Sequence, residues 1–292
     1  MAKPQRVVTD SMIGLKLPDF ARHSDRVATV LGHNPGPFTG PGTNTYIVGV
    51  GPRPLLLDTG AGVPLYEELL PHALKAVSAT DELERVVCTH AHGDHIGGIP
   101  QVYRRFGELE VLKKPWPGKD EAAGAPISAI EDGAIVRTEG ATLRAIHTPG
   151  HAPDHLCYYL EEERALFTGD VVLGAGTTVI PDDTGDLGQY MDSLQRLLQL
   201  DLETIYPAHG PVIRKPKEKI REYIAHRELR ERQVLDALSD RQPREVMAMV
   251  KKIYADVPEY LHQAAASSVR SHLKKLRKEG RVVEHDKKWS LT

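Results

Sequence analysis

The stretch Cys88–Gly98, CTHAHGDHIGG, places His90, His92, Asp94 and His95 within six residues, directly after the short apolar run Val86–Val87. Imidazole and carboxylate are the usual nitrogen and oxygen ligands of zinc, and a catalytic zinc keeps one coordination position open for water. Alone, the cluster also suits a structural metal site or a histidine-rich surface loop. Three later residues extend it: His151 in HTPGH, Asp170 in FTGD and His209 in YPAHG. Each follows an apolar, strand-like run and sits beside a glycine or proline turn, which is how a β scaffold delivers distant ligands to one rim. Five histidines and two aspartates so placed predict a shared metal site. Neither Cys88 nor Cys157 has a setting that favours an exposed thiolate, and Cys88 is expected to face the core.

The elements that must position these residues are mostly short strands. TYIVGV, PLLLDTG, ERVVCTH, LEVLKK, ATLRAIHTPG, HLCYYL and ALFTGD are apolar or alternating runs rich in β-branched and aromatic residues. Helical spacing appears over Leu65–Ser78 and near Leu187–Leu200. Strand runs broken by a few helices predict two stacked sheets with helices outside. Beyond Gly210-Pro211 the text becomes helical and charge-rich, from Lys217 to Leu238. Pro243 suits the first turn of a following helix, and Pro258 is expected to open a third, which Gly280 ends. RVVEHDKKWSLT then reads as two short strands around a turn, so the C-terminal pattern is that of a winged helix. The predicted organisation is a catalytic domain over 1–213 and a helical linker with a winged-helix-like domain over 214–292.

Of 292 residues, 40% are hydrophobic and 26% charged, as in ordinary globular chains. Two cysteines exclude a disulfide framework and favour a reducing compartment. The first twenty residues hold no apolar core of signal-peptide length, and no run approaches a membrane span, so a cytoplasmic protein without membrane attachment is expected. The net charge of −3 conceals an asymmetry: residues 214–292 carry 20 Lys and Arg against 12 Asp and Glu (+8), and the remainder 17 against 28 (−11). The basic part is either a polyanion-binding surface or a solvated helical face.

The order and spacing of THAHGDH, TPGH, TGD and PAHG resemble the metallo-β-lactamase superfamily, whose fold is a four-layer αβ/βα sandwich, here in an α+β chain with the winged-helix-like domain appended. The stretches VLGHNPGPFTGPGTNTYIVG, LLLDTG, EGATLRAIHTPGHAPDH, YPAHGPVI and HLKKLRKEGRV…DKKW extend the likeness, from about Arg26 to Trp289, to the lactamase-β-like protein 2 group. That group comprises endoribonucleases with a C-terminal winged helix, and fungal polyketide-associated thioesterases resemble it closely. The resemblance implies two zinc ions per chain. One would be held by His90, His92 and His151, the other by Asp94, His95 and His209, with Asp170 bridging both. It implies attack by a metal-activated water, whose proton Asp94 is also a candidate to steer. Asp58, in DTG, is expected to orient a ligand imidazole, or else to serve as a turn residue at a strand end. His155, matching a recurrent family histidine, is a candidate donor to a substrate oxygen, with a structural role as the alternative. His147 is assigned to a strand rather than to the metals, and Trp116 to a packed loop.

Two departures bear on substrate. Ala91 stands where the group usually has an aromatic residue, and Gly93 where it often has a larger one, which predicts a wider cleft. Asp182–Asp186, DDTGD, adds negative charge soon after a ligand. The leading expectation is a dinuclear zinc endoribonuclease acting on single-stranded RNA, with Lys274, Lys275 and Lys278 contacting phosphates. The alternative is a thioesterase acting on an acyl carrier protein or glutathione thioester, since the same water attacks a carbonyl equally well. β-Lactam hydrolysis ranks third, and a nucleic-acid-binding protein with a relic metal site is the non-enzymatic reading.

Overall fold

The computed structural model describes residues 12, 14–78, 80–255, 259 and 262–292. Its first sheet has seven strands in sequence order: β1 (Phe20–Arg22), β2 (Val27–Leu31), β3 (Asn44–Val48), β4 (Leu55–Leu57), β5 (Val86–Val87), β6 (Val111–Lys113) and β7 (Ile127–Ala129). Pairing is antiparallel through β4 and parallel from β4 to β7. The second sheet runs β12 (Thr204–Pro207), β11 (Ala165–Gly169), β10 (Leu156–Leu160), β9 (Ala141–His147) and β8 (Ile135–Thr138). The helices are α1 (Pro64–Ser78), α2 (Gly93–Ile96), α3 (Ile99–Phe106), α4 (Leu187–Leu198), α5 (Pro216–Ala237), α6 (Val246–Ile253) and α7 (His262–Lys278), and a hairpin of β13 (Val282–His285) and β14 (Lys288–Leu291) closes the chain.

Period-two alternation divides each strand between two cores. Leu55 and Leu57 face the second sheet while Leu56 faces α1 and α3. Leu156, Tyr158 and Leu160 face the first sheet while Cys157 and Tyr159 face α4 and α5. The result is a four-layer sandwich, helices–sheet–sheet–helices, joined to a C-terminal winged helix. Helix α5 runs through both parts. Ile220, Tyr223 and Ile224 pack against α4, whereas Val234, Ala237 and Leu238 join the core that α6, α7 and Trp289 complete. Among the described residues no helix is long and apolar enough to cross a membrane.

Two expectations change. Pro243 does not open α6, which begins at Val246. Arg244 instead exchanges backbone hydrogen bonds with Trp289 at 2.9 and 2.8 Å, so this segment is drawn against the hairpin before the helix starts. Helix α3 was not read from the sequence, because the eight residues IPQVYRRF are too few for an apolar stripe to repeat. Pro258 lies outside the described residues. Gly280 does end α7: its φ is +70°, its N–H reaches Arg277 O at 3.0 Å, and the next N–H reaches Leu276 O at 2.9 Å, the paired bonds of a Schellman cap.

Candidate metal centre

The clustered residues come from strand ends and from one short helix. His90 and His92 follow β5, Asp94 and His95 lie in α2, His151 follows β9, Asp170 follows β11 directly, and His209 follows β12. Glycines permit the close approaches: a Cβ at Gly150, where φ is +132°, would lie 2.4 Å from the Tyr190 backbone, and one at Gly169 would lie 2.5 Å from His155 Nε2.

Two groups of donor atoms result. His90, His92, His151 and Asp170 form one, and Asp94, His95 and His209 the other, with the atoms of each group within 4.8 Å of one another. In the first, His90 Nε2 and His92 Nδ1 are 2.9 Å apart, and His92 Nδ1 and His151 Nε2 are 3.0 Å apart. His151 Nδ1 lies 2.7 Å from Val179 O, an acceptor only, so Nδ1 carries the proton and Nε2 presents a lone pair. In the second group His209 Nε2 lies 3.3 Å from Asp94 Oδ2 and 3.2 Å from Asp170 Oδ1. The Asp170 carboxylate touches both groups, with Oδ2 3.3 Å from His151 and Oδ1 3.5 Å from His95.

The donor set fits a pair of metal ions. His95 Nε2 and Asp170 Oδ1 are buried and have no hydrogen-bond partner, a state that costs free energy unless a ligand satisfies it. His90 is pushed far down by burial and then by its histidine neighbours, and His92 falls to about 4 for the same reasons. Both are therefore neutral at pH 7, the form that binds metal. In the acidic half of the site, burial alone would raise Asp94, but His95 and His209 outweigh it and hold the carboxyl at about 2. Burial opposes the charged form of His209, yet Asp170 and Asp94 raise it to about 9.

Asp58 lies immediately after β4 with φ +57°. Its Oδ2 accepts from His95 Nδ1 at 2.9 Å and from Thr89 Oγ1 at 2.9 Å, and Oδ1 accepts the Thr89 N–H at 2.8 Å. It therefore occupies a turn position and also fixes the ring of His95, aiming Nε2 at the cluster. For His155, the expected donor to a substrate oxygen, the surroundings are those of the structural alternative. It is fully buried, its Nδ1 meets Thr148 Oγ1 at 2.9 Å, and its Nε2 accepts the Asp170 N–H at 3.1 Å. With both ring nitrogens committed it props the Asp170 backbone. His147 ends β9, and its Nε2 lies 2.9 Å from Pro153 O, away from the clusters. Trp116 packs on the α1–α3 core with its ring centroid 6.3 Å from that of His92. Cys88 and Cys157 are buried, and burial raises both thiols, Cys157 to about 12, so neither supplies a thiolate.

Above the clusters opens a cleft of about 710 Å³, walled by Met12, Pro37, Phe38, Leu173 and Val179. Ala91 does not widen it, because that side chain is buried in the α1–α3 core, and Gly93 is not among its lining residues. Lys274, Lys275 and Lys278 do not reach it. Lys274 Nζ donates to Asp182 O, Lys278 pairs with Asp186, and Lys275 lies 2.7 Å from both Glu231 and Glu279. With Arg270, which pairs with the Asp182 carboxylate, α7 thus compensates the acidic 182–186 segment. One feature escaped the sequence reading. Lys113, fully buried in β6, places Nζ 2.7 Å from both Asp120 and Asp154, tying the second sheet's HAPDH turn to β6 of the first sheet.

The metallo-β-lactamase superfamily profile matches residues 38–209, and that of the β-lactamase-associated winged-helix domain matches 246–289. The chain belongs to the metallo-β-lactamase superfamily, and it is a metal-dependent hydrolase of that class. It is 44% identical over 265 residues to the β-lactamase-like protein 2 homolog of Caenorhabditis elegans, covering 90% of this chain and 87% of the relative. It is 43% identical over 246 residues to the atrochrysone carboxyl ACP thioesterase of Claviceps purpurea (strain 20.1), covering 83% and 75%. A β-lactamase domain protein of Burkholderia ambifaria shares the fold, with a TM-score of 0.79, 19% identity and 97% of each chain covered.

Proposed function

We propose that this protein is a dinuclear zinc hydrolase of acyl thioesters carried on a phosphopantetheine arm. The carrying observation is the cleft wall: apolar side chains surround the clusters, and no lysine or arginine is among the described residues that line it. A phosphodiester chain entering there would meet Asp94 and Asp170 and no lysine or arginine, whereas an acyl chain finds Phe38, Leu173 and Val179. The name of the Claviceps relative agrees with this reading.

In this reading His90, His92 and His151 would hold one ion and Asp94, His95 and His209 the other, with the Asp170 carboxylate within reach of both groups. Bound zinc supplies Lewis acidity and lowers the pKa of a coordinated water from 15.7 to about 7. The side chains do the positioning. Asp58 and the Val179 carbonyl fix the rings of His95 and His151. His155 fixes the Asp170 backbone. Asp94, held ionised and partly exposed, accepts an O–H hydrogen bond from the attacking water and so orients it. Residues 1–213 perform the chemistry, and 214–292 complete the substrate path. Two reduced cysteines suit a cytoplasmic setting.

A parallel assay tests this. An acyl phosphopantetheine thioester and a single-stranded RNA are each incubated with zinc-loaded wild type and with Asp170→Ala. Hydrolysis of the thioester by wild type alone is expected. Cleavage of RNA with the thioester left intact would overturn it.

A further inference from the structure

Behind one wall of the metal cleft lies a second cavity. The segment Thr177–Val179 lines both, and its far side faces helices α5 and α7 across about 340 Å³. The residues on that far side differ in kind from those of the cleft: His226, Arg227, Arg230, Ser267, Ser268 and Ser271. Two guanidinium groups therefore face a space next to the reaction centre.

Among the described residues these charges have no carboxylate counter-ion. Arg227 is 6% exposed, donates from Nη2 to Thr178 O, and keeps a buried Nε with no hydrogen-bond partner. Arg230 lies over the Tyr254 ring at 4.4 Å and reaches Gln233 Oε1 at 2.9 Å. Neither pairs with a carboxylate among the described residues, although the lysines of α7 nearby all do except Lys274, which meets a carbonyl. The neighbouring imidazole of His226 is pushed down to about 4, first by burial and then by Arg227 and Arg230, so the local field is positive. A buried, unpaired cation is costly unless a ligand neutralises it, and guanidinium with serine hydroxyls is a donor set suited to phosphate.

We infer that this cavity is a phosphate subsite, and that it holds the phosphate of the phosphopantetheine arm while the acyl thioester lies in the apolar cleft across the Thr177–Val179 segment. The inference rests on the thioesterase reading for its substrate and on the cavity alone for its anion. An acyl-pantetheine is apolar at the reacting end and anionic at the other, and the two cavities repeat that order. Coenzyme A and carrier proteins share this arm.

The test compares kcat/KM for S-hexanoyl-4′-phosphopantetheine and S-hexanoyl-pantetheine on the zinc-loaded full chain. Two charge-assisted hydrogen bonds predict a preference of at least about tenfold for the phosphorylated substrate. Arg230→Gln, and independently Ser268→Asp, should collapse that ratio toward one. Calorimetry with 4′-phosphopantetheine should show binding weakened about tenfold or more by each variant, with pantetheine as the reference. A wild-type ratio near one, with no phosphate-dependent binding, overturns the subsite. If no thioester is cleaved but calorimetry shows Arg230-dependent phosphate binding, the thioesterase reading fails and the subsite stands. If only single-stranded RNA binds in an Arg230-dependent way, the pantetheine assignment is wrong. Comparing hexanoyl-coenzyme A with hexanoyl-carrier protein then identifies the source of the arm.

Discussion

The two cavities on either side of Thr177–Val179 are built by opposite means. The metal cleft gathers ligands from the ends of four strands and one short helix, and its walls are apolar. The cavity behind it is made by the faces of α5 and α7 and is cationic. One segment serves both: Val179 O accepts from His151 Nδ1 on one side, and Thr178 O accepts from Arg227 on the other. Helix α5, which leads into the winged helix, therefore does more than link two parts, because its Arg227 donates to the segment whose Val179 carbonyl meets a metal-cluster imidazole.

The largest effect should come from the residue that both donor groups share. Asp170→Asn keeps the shape but weakens the bridge between the two clusters. Turnover should fall by at least about a thousandfold, or 4 kcal/mol of barrier, and elemental analysis should find fewer than two ions per chain. Two retained ions with full turnover would break the shared-carboxylate account. Next comes Asp58→Asn. It leaves the His95 ring without its charged acceptor, and loss of such a partner costs about 10–100-fold in metal affinity. Competition against a chromogenic chelator reads this directly, with the His151 group as the unaffected reference.

The contrast between the cavities also explains what the sequence revealed. His151, Asp170 and His209 each stand beside a glycine at the end of an apolar run, so type, turn and strand coincide within a few positions. Arg227 carries no such mark. It is one basic residue in a charge-rich helix, and its acceptor lies 49 residues away. Lys113 reads as a polar strand-end residue, yet it is fully buried because Asp154, 41 residues on, meets it. His155 looked free because sequence shows a histidine's spacing but not the Thr148 and Asp170 groups that occupy its nitrogens. The lysines of α7 read as a phosphate track because the acidic 182–186 segment that engages two of them is remote in sequence. Strands β3 to β6 and β9 to β11 were legible as short apolar or alternating runs, whereas Pro243 misplaced a helix start because tertiary pairing of Arg244 with Trp289 overrode a local preference.

Arg227→Gln tests the link between the two sides. A hydrogen bond to a charged donor is worth about 1.5–3 kcal/mol, and urea unfolding of the metal-free chain should show a loss of that size. Metal retention at the His151 group should fall as well, since the segment bearing Val179 O loses its anchor. Undiminished stability and metal affinity would mean that Arg227 does not hold the segment.

The smallest effect is expected where the sequence pointed most directly to nucleic acid. Lys274→Gln, Lys275→Gln and Lys278→Gln together remove three cations from α7. If these lysines tracked phosphates, each would contribute about 0.7 to the log–log salt slope of single-strand binding, so the triple variant would flatten that slope by about 2. In the structure Lys278, although 69% exposed, is paired with Asp186, Lys275 with Glu231 and Glu279, and Lys274 with a carbonyl of the same acidic segment. Charges already engaged by the protein release few counterions from a polyanion. The slope for any single-stranded oligonucleotide should therefore change by less than about 0.7. Stability should fall by no more than about 1 kcal/mol per exposed pair. A slope change near 2 would show that the pairs open to admit nucleic acid, moving the anion-binding face from the cavity of Arg227 and Arg230 to the outer surface of α7.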